Sequence, residues 1–332
     1  MKYRTLGRTG IKVSEISLGG LFVSSIGAAR DDARKAIHRA VELGINYIDT
    51  APGYHDSEES VGHALRDIDT PLVISTKLGG RPTPFDARDK AALRRSFEES
   101  LRLLGRDTID ILMIHEPDRP GQYDWFTNWD NFTGPVTDLL EELKAEGLIR
   151  FTGLGGTTAY TLPHIIATGR FDVVLTAFNY SLLWQEATIS VLPEAKKHGL
   201  GVVIGSPLQQ GALARCYTET VEKGTHWLSP PRQAQFKALY RLVEESAIPL
   251  PELALRFVLS NPDVSTTLSG ARSAEEVELN VAAAEKGALP EDVLKEIARI
   301  AGMVPFRPFE EPFGLPFTRE YRGPGQAMLG HV

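Results

Sequence analysis

A single cysteine, Cys216, stands in 332 residues. No intramolecular disulfide framework can form, and a reducing compartment, the cytoplasm, is expected. No apolar run reaches the roughly 20 residues that a membrane span needs, so no membrane partner is expected. Met1-Lys2-Tyr3-Arg4-Thr5-Leu6-Gly7-Arg8 is basic but has no apolar stretch behind it, so no secretory signal is expected. Blocks of Lys and Arg are missing too, and the net charge is −7, which removes the basic footprint that nucleic acid requires. No Ser or Cys stands poised beside a His as a nucleophile, and no residue cluster would hold a catalytic metal. Neither a linker-like shift in composition nor a repeat divides the chain, so 1–332 reads as one domain.

What the chain has is an alternation of short apolar runs and amphipathic helices. Residues 4–13 read as a hairpin with glycines at its turn. Strands are predicted over 16–19, 44–49, 72–77, 109–115, 150–154, 172–176, 201–205 and 264–268. Helices are predicted over 31–43, 57–65, 87–104, around Val136 to Leu143, and over 159–168, 189–198, 232–246 and 274–284. Eight strand–helix units predict an α/β fold, a closed (β/α)8 TIM barrel, and the length suits about 250 residues plus loops. A ninth helix is predicted over 291–301. Beyond it, 304–332 is rich in proline but carries Phe306, Phe309, Phe313 and Phe317. So many aromatics are unusual in a disordered tail, so this one is expected to fold over the barrel mouth and line the substrate pocket.

Three of the predicted strands end on ionisable residues: Asp49, Lys77 and His115, with Tyr54 five residues after the first. Parallel barrel strands bring their ends to one face, so these four side chains can meet around one point. A phenol of ordinary pKa about 10 is a poor acid at neutral pH. A neighbouring ammonium favours its charged form. Asp49 can hold Lys77 charged and aimed at Tyr54, while His115 donates to a substrate oxygen. Such a group suits a carbonyl that gains a proton or a hydroxyl that loses one. A polar residue at a strand end is usually a cap or a loop residue; four complementary types on three successive strands point to a site.

Those residues, within Asn46-Tyr47-Ile48-Asp49-Thr50-Ala51-Pro52-Gly53-Tyr54 and Leu112-Met113-Ile114-His115, resemble the catalytic tetrad of the aldo-keto reductase superfamily. The resemblance runs from Tyr3-Arg4-Thr5-Leu6-Gly7-Arg8-Thr9-Gly10 to Asn280. It implies a barrel that binds a nicotinamide cofactor, with Tyr54 as general acid/base, Asp49 and Lys77 tuning it, and His115 orienting the substrate carbonyl. It also implies a cofactor set. Gly20 would bind the cofactor, the loop of Ser206, Pro207, Leu208, Gly211 and Leu213 would serve its pyrophosphate, and Gly270, Arg272, Glu276 and Asn280 its adenosine. Tyr180 would stack on the nicotinamide. Many members carry Ser-Asn after the fifth strand and a Gln three residues before that Tyr. Here stand the run Gly153-Leu154-Gly155-Gly156-Thr157-Thr158 and Ala177, so Asn179 and Thr157 are substitute partners for the amide.

Two further departures bear on the choice between NAD and NADP. Gly270 stands where NADP-preferring members often carry Lys, and Glu276 where they carry Arg or Gln. A carboxylate there repels a 2′-phosphate; Arg272 pulls the other way. NAD is therefore expected, with NADP possible.

The segment from Phe171 to Leu183 is similar to the branch holding the L-galactose, L-fucose and D-threo-aldose dehydrogenases. This implies oxidation of an aldose at C1 to a lactone, in a pocket walled by Phe22, Trp125, Trp129, Trp184 and the tail. Alternatively these rings only pack the loops. Arg119, Arg307, Arg319 and Arg322 are candidates for an anionic substituent, although surface arginines usually have no such role. The near rival is NADPH-dependent reduction of an aldehyde or oxo-sugar. More remote are a cofactor-binding sensor subunit without catalysis and a metal-dependent hydrolase using Asp49, His55 and His115. The partner expected is a small carbohydrate or aldehyde, and the sequence leaves oligomeric state open.

Overall fold

The computed structural model describes residues 1–81, 83–119, 122–308, 311–312, 314–318 and 320–321. Phe309, Phe313, Arg319 and Arg322 lie outside the described residues. Strands β1 (Tyr3–Thr5) and β2 (Lys12–Ser14) pair antiparallel as the expected hairpin. Eight parallel strands then close a barrel: β3 (Ile16–Gly19), β4 (Tyr47–Asp49), β5 (Val73–Leu78), β6 (Ile109–His115), β7 (Ile149–Gly156), β8 (Val173–Ala177), β9 (Gly201–Gly205) and β10 (Thr266–Gly270). The order follows the sequence, and β10 pairs with β3 to close the ring. No helix among the described residues is long and apolar enough to cross a membrane.

Around the barrel lie α1 (Arg30–Glu42), α2 (Ser57–Leu65), α3 (Lys90–Leu104), α4 (Pro135–Ala145), α5 (Leu162–Ile166), α6 (Val191–Lys197), α7 (Thr218–Lys223), α8 (Pro230–Ser246), α9 (Leu250–Leu259), α10 (Ala274–Glu285) and α11 (Glu291–Ala301). Two helices, α7 and α9, were not anticipated. Pro251 in the first turn of α9 reads as a breaker in sequence, yet proline is tolerated there because the N–H it lacks has no helical partner. Leu253, Ala254, Phe257 and Val258 bury the inner face of α9.

Apolar side chains separate into two layers, as alternation along barrel strands requires. Tyr47, Val73, Ile111, Met113, Val173, Leu175, Val203 and Leu268 fill the interior, and Leu6 and Val13 of the hairpin join them. The larger layer packs strands against helices. The hairpin is tied to the barrel end away from His115. Arg4 donates to the carbonyls of Asn261, Val264 and Leu259, and the Arg8 amide donates to Gly199 O. Gly7, at φ +49°, lies so close that a Cβ there would meet Gly201 N at 2.2 Å.

The described part of the tail is packed, not loose. Phe317 stacks on Tyr217 at 4.4 Å and meets Trp227 and Phe236 edge-on, and Leu315 is buried. Phe306 is exposed, contrary to its expected place in a pocket wall.

Candidate active site

The barrel's register gathers the four expected residues. Asp49 lies level with Ser75 on β5, Lys77 level with Met113 on β6, and His115 level with Gly155 on β7. Period-two alternation aims Tyr47 and Asp49, then Ser75 and Lys77, to the same side. Lys77 Nζ donates to Asp49 Oδ2 at 2.6 Å and to Thr50 O at 2.8 Å. The ammonium sits 4.7 Å from the centroid of the Tyr54 ring, and that ring meets His115 edge-on at 5.7 Å. Asp49 and Lys77 are 2% and 1% exposed, so their charges face each other in a medium of low polarity.

Several supports were not singled out from sequence. Ser75 Oγ donates to Asp49 Oδ1 at 2.6 Å and is bonded in turn to Tyr47 OH at 2.9 Å. Both residues stand two positions before a tetrad member, and that spacing is the signal that could have found them. Trp125 Nε1 donates to the carbonyl of His115 at 2.9 Å. Gly155 matters for room, since a Cβ there would press on the Lys77 side chain at 3.4 Å.

Burial pushes the Tyr54 phenol above its ordinary value; Lys77 opposes this and Asp49 adds to it. Sequence reasoning expected the ammonium to lower that pKa. The direction acts as expected, but desolvation outweighs it. Lys77 itself is pulled down by burial and raised more strongly by Asp49 and Tyr54, so it stays an ammonium. The group is therefore a protonated phenol beside a fixed cation, with an imidazole across the gap. It can give a proton to a substrate oxygen or take one from it.

The cofactor candidates divide. Ser206, Gln209 and Gln210 hold φ of +54°, +49° and +51°, and Gly211 +102°, so the loop after β9 is tightly curled. Leu208 at φ −93°, ψ 12° followed by left-handed Gln209 is the backbone pattern that forms an anion-binding nest. Pro207 and Leu213 are buried and anchor the loop. Ser273 caps the start of α10 by accepting from the Glu276 amide, and the Ser269 hydroxyl on β10 is buried without a partner among the described residues. Asn280 is half-buried on α10. A Cβ on Gly20 would strike Asp49 O at 2.6 Å, so only glycine lets that turn approach the tetrad. Curled loop, helix start and orphaned hydroxyl fit a ligand with an anionic middle, as a dinucleotide has.

Glu276 is exposed, and its Oε2 accepts from the Arg272 amide at 2.8 Å. Asn179 Nδ2 donates to Ala177 O and Thr176 Oγ1, which leaves its Oδ1 as the group suited to an amide NH2. Thr157 is buried, its hydroxyl has no partner among the described residues, and Asp118 Oδ2 accepts from its amide at 2.9 Å.

Tyr180 is a correction. Its ring packs on Phe257 of α9 at 5.2 Å, and its hydroxyl accepts from Asn261 Nδ2 at 3.1 Å. The chain reverses at Phe178, φ +68°, and turns Tyr180 into the layer between strands and helices, away from a nicotinamide.

The aromatic walls need correcting too. Trp125 and Trp184 are 0% and 1% exposed and belong to that same outer layer. Trp184 donates to Glu311 Oε1 at 2.6 Å. Trp129 packs edge-on against Phe126 and Phe132. The packing alternative therefore describes these three rings. Phe22 follows β3, which neighbours β10 in the ring, and so it lies against the adenosine segment. Arg272 is 5.1 Å from its centroid, and a Cβ on Gly270 would meet it at 2.5 Å. A cavity of about 270 Å³ lies at the rim instead, lined by Phe85, Arg88, Tyr123 and Asp124 among others. The Arg307 guanidinium pairs with Glu311, an internal contact in place of a substrate anion.

The closed parallel barrel with this group at its strand ends is that of an NAD(P)-dependent oxidoreductase. The chain belongs to the aldo/keto reductase family, whose model matches residues 15–301. L-galactose dehydrogenase of Arabidopsis thaliana is 31% identical, over 90% of this chain and 94% of its own length. Pyridoxal 4-dehydrogenase of Microbacterium luteolum is also 31% identical, over 84% and 91%. Among solved structures, an aldo-keto reductase of Bacillus halodurans in its holo form superposes with a TM-score of 0.72, at 27% identity over 91% of this chain and 96% of that one.

Proposed function

We propose that the protein oxidises an aldose at C1 to a lactone with NAD, using Tyr54 as general acid/base. The observation that carries the reading is the buried Asp49–Lys77 pair placed under the Tyr54 ring with His115 across from it. A bound nicotinamide would take the hydride from C1. Tyr54, as the phenolate that Lys77 stabilises, takes the proton of the anomeric hydroxyl and becomes the phenol. Asp49, held by Ser75, fixes Lys77 in place. His115 donates to the sugar oxygen and sets which hydroxyl faces Tyr54.

The sugar assignment is supported by the L-galactose dehydrogenase relative. NAD is supported by Glu276 and by Gly270, where Phe22 leaves no room for a lysine without moving. The cofactor set proposed is Gly20, Asn179, Thr157, Ser206 to Leu213, Gly270, Arg272, Glu276 and Asn280. The tail is proposed to border the substrate site, and exposed Cys216 suits a cytoplasmic setting.

The test is a panel of aldoses and aldehydes with NAD, NADP and their reduced forms, followed by nicotinamide absorbance. Aldose oxidation with NAD is expected to give the highest kcat/KM. Turnover confined to aldehyde reduction with NADPH would overturn both the substrate and the cofactor assignment. Turnover with no substrate, alongside tight cofactor binding, would favour the sensor reading.

A further inference from the structure

Outside the tetrad, a buried charge cluster lies where the tail meets the barrel mouth. Glu311 Oε2 accepts from Arg232 Nε at 2.7 Å, and its Oε1 accepts from Arg232 Nη2 at 3.1 Å, Arg307 Nη1 at 3.2 Å and Trp184 Nε1 at 2.6 Å. The two guanidiniums flank the Trp184 ring at 4.6 and 4.9 Å. Glu186 Oε1 accepts from the Arg307 amide at 2.7 Å, so two arginines face two carboxylates. The Arg232, Arg307 and Glu311 side chains are 1%, 10% and 5% exposed. Such a cluster is costly to desolvate and a poor source of stability, so it calls for another explanation.

The explanation lies one contact further. Arg307 Nη2 donates to the carbonyl of Phe178 at 3.3 Å and reaches Gln209 Oε1 at 3.5 Å. Gln209 Nε2 donates to that same carbonyl at 3.0 Å and to Ser181 Oγ at 2.9 Å. Phe178 and Gln209 are both left-handed, which non-glycine residues seldom hold unless their surroundings fix them. One belongs to the turn carrying Asn179 and the other to the curled loop after β9. The tail thus pins together the two segments assigned above to the nicotinamide amide and the pyrophosphate.

We propose that Arg307 is a positioning residue for the nicotinamide cofactor, acting through Gln209 and the Phe178 carbonyl, with Glu311, Arg232 and Trp184 holding it in place. The inference rests on the cofactor assignment above. The bonded Gln209 side chain keeps the loop curled before ligand arrives, so binding does not have to order it. Arg307 supplies two directed donors that a lysine cannot, although a lysine keeps the charge opposite Glu311.

The test is equilibrium binding of NADH, read by quenching of tryptophan emission and by thermal midpoint, in wild type, Arg307→Ala, Arg307→Lys, Gln209→Ala and the Arg307→Ala/Gln209→Ala double variant. The expected result is a dissociation constant raised about tenfold in Arg307→Ala, with partial recovery in Arg307→Lys. The double variant should bind no more weakly than the weaker single, because both residues act through one contact. Should Arg307→Ala fail to fold, the Arg307→Lys and Gln209→Ala pair carries the test, with both expected to weaken NADH binding. Unchanged affinity in these variants, or additive losses in the double, would overturn the positioning role. If the wild type bound neither NADH nor NADPH, the cofactor assignment itself would fall, and this inference with it.

Discussion

Lys77→Met is the sharpest probe of the buried pair. Lys77 and Asp49 are 1% and 2% exposed with 2.6 Å between their charged atoms. Removing the ammonium strands a carboxylate where water cannot reach it, which costs about 3–5 kcal/mol. Folded proteins of this kind hold only about 5–15 kcal/mol in total. Adding Asp49→Asn removes the stranded charge while the amide oxygen still accepts from Ser75. The double variant then lacks chiefly the Lys77 bond to Thr50 O, about 1 kcal/mol, and should recover most of the loss. Urea unfolding of wild type, single and double variants reads these differences directly. Neither variant should turn over substrate at more than a small fraction of the wild-type rate, so stability returns without activity. A single variant within about 1 kcal/mol of wild type, or a double no more stable than the single, would refute the picture of a desolvated ion pair.

Other consequences are open to measurement. Burial holds the Tyr54 phenol above its ordinary value of about 10, so as a base in oxidation it loses its proton only at high pH. With cofactor as the varied substrate, kcat/KM for oxidation should climb up to about pH 9 without a plateau, while reduction stays flat over the same range; an oxidation plateau below about pH 8 would contradict this. Asp172 accepts from Lys144, Arg8 and the Thr152 amide, and despite burial, which acts the other way, these partners lower its pKa. Its contribution is present above the unfolded value of about 3.9 and fades as pH falls through the lower folded value. Asp172→Asn should therefore cost about 1–3 kcal/mol at pH 7 and much less near pH 2, measured by urea unfolding at both pH values. Glu276→Lys puts a cation at the position proposed to face the adenosine ribose, and it should raise the NADP-to-NAD ratio of kcat/KM about tenfold, on the order of 1.4 kcal/mol. An unchanged ratio would remove Glu276 from the adenosine site.

The barrel was legible because its strands are short apolar runs whose alternate residues face inward, and because apolar residues recur at helical spacing between them. The tetrad was legible for the same reason, since three ionisable residues end three successive strands. Helix α9 escaped because Pro251 looks like a stop in sequence, while in a first turn it is not. Ser75 and Tyr47 escaped because a buried hydroxyl within a strand resembles any other polar residue until its partner, Asp49, comes into place. The tryptophans misled for a general reason. Composition cannot tell a ring that faces solvent from one that seals a loop, and Trp125 and Trp184 each spend their one N–H on an internal acceptor. Tyr180 depended on a left-handed Phe178, which nothing in the residue type announces. The link from Arg307 to Gln209 joins positions 98 residues apart, which no local pattern could show.

Tyr54→Phe tests the central claim most directly, since it deletes one hydroxyl and keeps the ring that packs on Lys77 and His115. NADH affinity and aldose turnover should be measured on the same preparation. Retained NADH binding with turnover lowered on the order of 100-fold or more is the predicted result. Turnover within about twofold of wild type would show that the phenol does not carry the proton.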